Sequence, residues 1–258
     1  MTIDLAGELL ALATTLATRV GDTALAGRRI GLRNVETKST PTDMVTEYDR
    51  ATEREIVTTL RRVRPDDAIV GEEDGNHDGT SGITWFVDPI DGTTNFLYDL
   101  PMWTVSIGVH DADGKLCGVV YAPALRETFT AIRGRGAFLN GHSIACSDVT
   151  DPTRALVGTG FNYSPANRVV QANRFPHFID KIRDVRRLGS ASLDLCFVAC
   201  GRYDAYFEEH LYPWDLAAGS LIASEAGAHV ETTHGPTALA VMAANPALFP
   251  QIKRILLP

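Results

Sequence analysis

A layered α+β, or mixed α/β, sandwich is the fold class that this sequence predicts. Three observations point there. Strand-like segments come first as a block, later ones alternate with helical segments, and 258 residues suit one large layered domain or two closely fused halves. Apolar residues make up 45% and charged residues 22%, which places the chain among folded globular proteins rather than disordered ones. The 24 Lys plus Arg against 32 Asp plus Glu give a formal net charge of -8, which argues against an electrostatic nucleic-acid binder. That excess leaves open whether some carboxylates do chemistry or all serve solubility.

The elements follow from periodicity and breakers. Leu5, Leu9, Leu12, Leu16 and Val20 recur three or four apart and predict an amphipathic helix over 3–20. Thr42 or Asp43 is placed to cap a second helix running to about Val63, stopped near Pro65. Segments 67–71, 83–88, 103–110, 115–122 and 127–132 read as strands, and Asp113-Gly114 predicts an antiparallel hairpin between two of them. Gly134-Arg135-Gly136 lacks the third glycine of a dinucleotide fingerprint and reads as a turn. A strand over 155–161, a helix over 165–182, a buried helix over 190–200, a strand over 203–208 and a helix over 213–226 come next. A strand near 239–243 and a helix from Pro246 finish the chain.

The polar stretch 146–154 is the best candidate for a seam but is short, so residues 1–258 read as a single catalytic unit. No apolar run approaches the roughly 18–20 residues that span a bilayer, and the N-terminus lacks the basic region of a secretory signal. Cys117, Cys146, Cys196 and Cys200 have no CxxC spacing and read as reduced thiols, mostly core. The expectation is a cytoplasmic protein without membrane or nucleic-acid partners.

Chemistry concentrates in Trp85-Phe86-Val87-Asp88-Pro89-Ile90-Asp91-Gly92-Thr93-Thr94-Asn95-Phe96. An apolar strand ends in Asp88, a Pro-Ile turn follows, and Asp91 and Gly92 lead into hydroxyl residues. Such a turn lets both carboxylates and the Ile90 carbonyl converge, an all-oxygen set suited to Mg²⁺. Gly92 permits close backbone approach, and the amides after it can cradle an anion. The alternative is an Asp-capped surface turn. Three further carboxylates can complete a site: Glu72 beyond the strand Ala68-Ile69-Val70, Asp49 on the second helix, and Asp215 in Tyr212-Pro213-Trp214-Asp215. Each has an ordinary reading too, as a helix-start or solvated carboxylate. The acidic loop from Glu72 to Asp78 reads as a mobile, solvated lid.

Taken together, these segments resemble the inositol monophosphatase family of Mg²⁺-dependent, lithium-sensitive sugar and polyol phosphatases. The resemblance runs in order through Lys38 to Asp49, Gly71-Glu72-Glu73, Asp88 to Thr94, Arg187-Leu188-Gly189-Ser190-Ala191, Asp204 to Glu208, and Trp214 to Gly219. It implies a layered α-β-α-β-α sandwich of the sugar phosphatase type. It also implies that Glu72, Asp88, the Ile90 carbonyl and Thr93 hold one metal, and that Asp88, Asp91 and Asp215 hold a second. A third, weaker site involves Glu72, giving two or three Mg²⁺ per subunit. By the same resemblance, amides around Gly92, Thr93 and Thr94 hold phosphate, and Thr93 with Asp49 serves the attacking water, so that the catalytic set is Asp49, Glu72 and Thr93. Gly189, Ser190, Ala191 and Glu208 face the substrate, although Ser190 can equally be a helix N-cap. The implied reaction is direct attack by water, with no phosphoenzyme, on a small phosphorylated polyol or sugar, in a homodimer. Inositol 1-phosphate leads; histidinol phosphate, fructose 1,6-bisphosphate and 3′-phosphonucleotides are alternatives. An interaction or regulatory protein on a phosphatase scaffold is the alternative of another class.

Overall fold

The computed structural model describes residues 4–31, 35–38, 40, 44–73, 76–235 and 237–257. In chain order the first part comprises α1 (Leu5–Ile30), β1 (Val35–Thr37), β2 (Met44–Thr46), α2 (Glu47–Val63), β3 (Ala68–Gly71), β4 (Thr84–Asp91), α3 (Thr93–Leu97), β5 (Thr104–Asp111), β6 (Gly114–Ala122), β7 (Glu127–Ile132), β8 (Ala137–Leu139) and β9 (His142–Ile144). The second part comprises β10 (Leu156–Thr159), α4 (Pro165–Ala172), α5 (Phe175–Phe178), β11 (Asp184–Arg186), α6 (Ala191–Ala199), β12 (Ala205–Glu209), α7 (Pro213–Glu225), β13 (His229–His234), β14 (Leu239–Ala244) and α8 (Phe249–Leu256).

Two sheets result. Strands β3 to β9 lie side by side in sequence order, parallel only at β3–β4. The second sheet has the order β11-β10-β12-β14-β13. Apolar alternation explains the layering. One face of the seven-stranded sheet buries Trp85, Val87, Ile107 and Val119 against Leu9, Leu16, Ile56 and Leu60 of α1 and α2. Between the sheets lie α6 and α7, hydrophobic all round, packed on Phe129 from one side and Tyr206 from the other. The far face of the second sheet packs Met242 and Phe207 against Phe249 and Ile252 of α8. This is the expected α-β-α-β-α sandwich, and the polar segment 146–154 connects its two sheets.

Contact distance places α7. A Cβ on Gly108 would sit 2.5 Å from the Ala217 Cβ, and one on Gly118 would sit 2.9 Å from the Ala218 Cα. Small residues on both sides let the helix lie on the sheet and set its first turn over the end of β4.

Several boundaries differ from expectation. Helix α1 continues ten residues past Val20, because Gly21 and Ala24 are buried and tertiary packing overrides weak local propensity. The caps expected at Thr42 or Asp43 lie outside the described residues; α2 begins after Thr46, which follows the short strand β2. The helix expected over 165–182 is broken into α4, α5 and a short 3-10 turn, since Pro176 has no N–H to continue the ladder. The last helix starts at Phe249 rather than Pro246, after a turn in which the Asn245 side chain accepts from the Ala247 and Leu248 amides.

A buried carboxylate braces the sheet edge. Asp67 is 4% exposed and accepts from Arg64 Nε (2.7 Å), Ser81 Oγ (2.7 Å) and Trp85 Nε1 (2.9 Å). Burial opposes its ionisation, but these donors outweigh that and hold the carboxyl below its ordinary value. Asp67→Ala is expected to cost about 2–4 kcal/mol at neutral pH, because Trp85 and Arg64 lose their buried acceptor. A depressed pKa contributes stability above the unfolded value that is lost as pH falls through the folded one. Urea unfolding should therefore show the gap between wild type and variant narrowing below the ordinary carboxylate range; a constant gap would count against the assignment.

Candidate active site

The site grows from an irregularity in β4. Asp88 pairs with Ser106 and Asp91 with Thr104, so three steps along β4 match two along β5. In a regular strand, residues three apart point to opposite faces; the extra residue at Pro89-Ile90 brings both carboxylates to one side. The expected Pro-Ile turn is thus a bulge within a continuing strand, where a proline without a ladder N–H is tolerated. Asp88 Oδ1 accepts from the Ile90 amide at 3.1 Å. Gly92 then takes φ +91, and a Cβ there would stand 3.0 Å from the Met102 carbonyl and 3.1 Å from the Gly189 carbonyl. Only glycine suits that backbone and that space.

Thr93 opens α3, with Oγ1 lying 3.1 Å from both Asp49 Oδ1 and the Ile90 carbonyl. Asp49, fully buried, also accepts from the Thr46 amide (2.8 Å) and hydroxyl, closing a capping box on α2. Its helix-start reading and its place behind Thr93 both hold. Arg28, in the part of α1 beyond the expected end, donates to the Phe96 and Leu97 carbonyls at 2.6 and 2.9 Å and ties off α3.

Glu72 stands beyond β3 as expected. The loop after it is not a solvated lid at its root: Lys38 donates to Glu72 Oε1 at 2.9 Å and also to Glu73, whose side chain is only 8% exposed and whose amide donates to Glu53. Burial opposes the Lys38 charge, but the two glutamates prevail and raise its pKa. Residues 74–75 of that loop lie outside the described residues.

The other wall comes from the second half of the chain. Asp215 Oδ2 accepts from the Tyr212 amide at 2.6 Å, so it too caps its helix, α7. Asp91 accepts from Ser190 Oγ (2.7 Å), the Ala191 amide (3.2 Å), the Ser192 amide (2.7 Å) and Ser192 Oγ (2.6 Å). Asp91 therefore caps α6 from a different segment, and the positive ends of α2, α6 and α7 each meet one of the site's carboxylates. This corrects the placing of Ser190. It is 1% exposed, and its hydroxyl is spent on Asp91 rather than offered to a ligand or to its own helix. Glu208 accepts from Tyr206 at 2.7 Å, and Gly160 leaves the room in which its carboxylate lies.

These parts line one cavity of about 480 Å³. Its lining includes Glu72, Asp88, Ile90, Asp91, Gly92, Thr93 and Asp215, together with Gly189, Ala191 and Glu208. Thr94 and Ser190 are not on its wall, and Asp49 lies behind Thr93. Ser192 and Lys38 went unforeseen as partners of site carboxylates. Ser192 had a faint signal, a hydroxyl in the first turn of a predicted helix; Lys38 had none, since nothing local ties it to Glu72.

Crowding shapes the electrostatics. Burial, then Glu72, Asp91 and Asp215, push the Asp88 carboxyl well up, and burial with Asp91 does the same for Asp215. Burial raises Asp91 against the opposing bonds from Ser192 and Ser190, and lifts Glu208 to about 7 against Tyr206 and Arg187. Among the described residues, no three carboxylate, imidazole or thiol side chains close into a ready-made metal cage. The donor chemistry nonetheless fits a hard cation: all ligand candidates are oxygen, and like charges held together from water are relieved by a counter-charge.

The description "Inositol monophosphatase family" matches residues 6–255. Inositol-1-monophosphatase SuhB of Mycobacterium tuberculosis is 44% identical over 226 residues, covering 83% of this chain and 78% of that protein. Nus factor SuhB of Pasteurella multocida is 40% identical over 223 residues, covering 85% and 83%. Among solved structures, the extragenic suppressor protein suhB from Bartonella henselae matches with a TM-score of 0.88 at 32% identity, over 96% of this chain and 98% of that one.

Proposed function

The chain belongs to the inositol monophosphatase family, and from that premise we propose that it is a Mg²⁺-dependent phosphatase of small polyol monoesters, inositol 1-phosphate foremost. One observation carries the reading: Glu72, Asp88, Asp91 and Asp215, drawn from three chain segments, line a single cavity that Glu208 also lines. Glu72, Asp88, the Ile90 carbonyl and Thr93 would hold one ion and Asp88, Asp91 and Asp215 a second, with a third, weaker position at Glu72. Bound there, Mg²⁺ supplies charge neutralisation for the ester, ionisation of the attacking water and stabilisation of the leaving alkoxide.

The remaining roles belong to the chain. Asp49 accepts the Thr93 hydroxyl proton, which turns the oxygen lone pairs of Thr93 outward to receive and orient the water. The backbone at Gly92, Thr93 and Thr94 lies at the phosphate end. Gly189 and Ala191 leave space for the ring, and Glu208 accepts hydrogen bonds from its hydroxyls. The family resemblance adds lithium inhibition, a cytoplasmic homodimer and one catalytic unit over 1–258.

The test is phosphate release with Mg²⁺ from inositol 1-phosphate, histidinol phosphate, fructose 1,6-bisphosphate and a 3′-phosphonucleotide. Turnover is expected on the polyol, and silence on every ester would leave the interaction-protein reading standing. In Glu208→Ala, the preference for inositol 1-phosphate over a simple aryl phosphate should fall at least about tenfold, the value of one hydrogen bond to a charged group. An equal loss on both esters would make Glu208 structural.

A further inference from the structure

The proposed function uses the carboxylate floor of the cavity and Glu208, and leaves the rim unused. That rim is aromatic. Tyr212 and Trp214 both line the cavity, their rings 5.0 Å apart and 12° from parallel. Tyr212 is 60% exposed, so core packing does not account for its ring. Phe161 lines the same cavity, backed by Phe175 at 5.7 Å and 27°. Aromatic rings gain beyond area burial when they pack on another aromatic ring.

The backbone of Tyr212 is anchored at the start of α7. Tyr212 is the N-cap of α7 in an extended conformation, φ -99 and ψ 166, and Pro213 restricts the step into the helix. Its amide donates to Asp215 Oδ2 at 2.6 Å. Tyr212 thus stands two residues before Trp214, its main chain tied directly to a carboxylate that lines the cavity. Both rings line the same cavity as that carboxylate, so a phosphate held there would present its alcohol group to the space they border.

Resting on the proposed phosphatase reading, we infer that Tyr212, braced on Trp214, is a specificity-determining residue that stacks the leaving group of phosphate monoesters carrying a planar aromatic ring. Planarity, rather than apolar bulk, is what the platform selects.

A matched pair of esters tests this: 2-phenylethyl phosphate and 2-cyclohexylethyl phosphate, alike in charge and reach and different in flatness. With the Mg²⁺-loaded enzyme, the ratio of kcat/KM for the planar over the saturated ester should exceed one. It should fall about tenfold in Tyr212→Ala, within the range of one ring-on-ring stack, and stay near the wild-type value in Tyr212→Phe. The change should sit in KM rather than kcat. An unchanged ratio in Tyr212→Ala, or an equal fall in Tyr212→Phe, overturns the inference. So does a Tyr212→Ala protein that keeps its ratio while its subunits separate, which would assign the ring to an interface. Inositol 1-phosphate is run in parallel. Turnover there with no hydrolysis of either test ester overturns the stacking platform alone, whereas silence on all three overturns the phosphatase reading and this inference with it.

Discussion

Asp88→Asn is expected to lower kcat/KM at least about 10³-fold, roughly 4 kcal/mol of transition-state stabilisation, while leaving the metal-free protein no less stable than wild type. Both halves follow from one fact. Asp88 is 2% exposed and faces the charges of Glu72, Asp91 and Asp215. As an anion it is the carboxylate shared between both proposed ion positions, so its loss weakens each. Without a cation, that same anion is a buried like charge, and its removal should raise stability by about 1–2 kcal/mol. The replacement amide oxygen can still accept from the Ile90 N–H, which keeps the bulge intact. Thermal melts in chelator and in Mg²⁺ separate the effects: wild type should gain in Mg²⁺ by mass action, and the variant little. A variant that turns over normally, or melts much earlier in chelator, would remove Asp88 from the centre of the site.

Thr93→Ala should lower kcat about 10²-fold, the lower range for loss of a group that handles a proton, with a smaller change in KM. Its hydroxyl touches Asp49 and the Ile90 carbonyl, 3.1 Å from each, and no other described side chain of the cavity lining hydrogen-bonds to Asp49. Truncation would leave Asp49 buried and cut off from the reacting water. Thr93→Ser keeps the oxygen and should recover most of the rate. If the serine variant were as slow as the alanine one, the methyl group and the packing of α3 would be responsible instead.

Legibility varied with the range of the cause. The strands β4 to β7 declared themselves through local alternation, and the hairpin at Asp113 through turn chemistry. The short strands β8, β9 and β11 carry three residues each, too few for a period to show. The bulge in β4 was invisible, because Asp88-Pro89-Ile90-Asp91-Gly92 is also good turn sequence. Only the pairing to Ser106 and Thr104 distinguishes a bulge from a turn. At Asp49 and Asp215 the helix-start and active-site readings looked like rivals, yet each carboxylate closes a capping box at the edge of the site. The positive helix ends help to hold negative charge where a site needs it.

By itself, the sequence determined the layered class, the order of the elements and which oxygen-bearing residues are proposed as ligands, because hydrophobic period and residue chemistry are local properties. Tertiary structure alone decided that the Ser190 hydroxyl serves Asp91, that Lys38 pairs with Glu72 across 34 positions, and that Tyr212 and Trp214 form the rim. The physical reason is that side-chain partners are assigned by the stacking of α6 and α7 between two sheets. Spacing along the chain carries no record of that close approach.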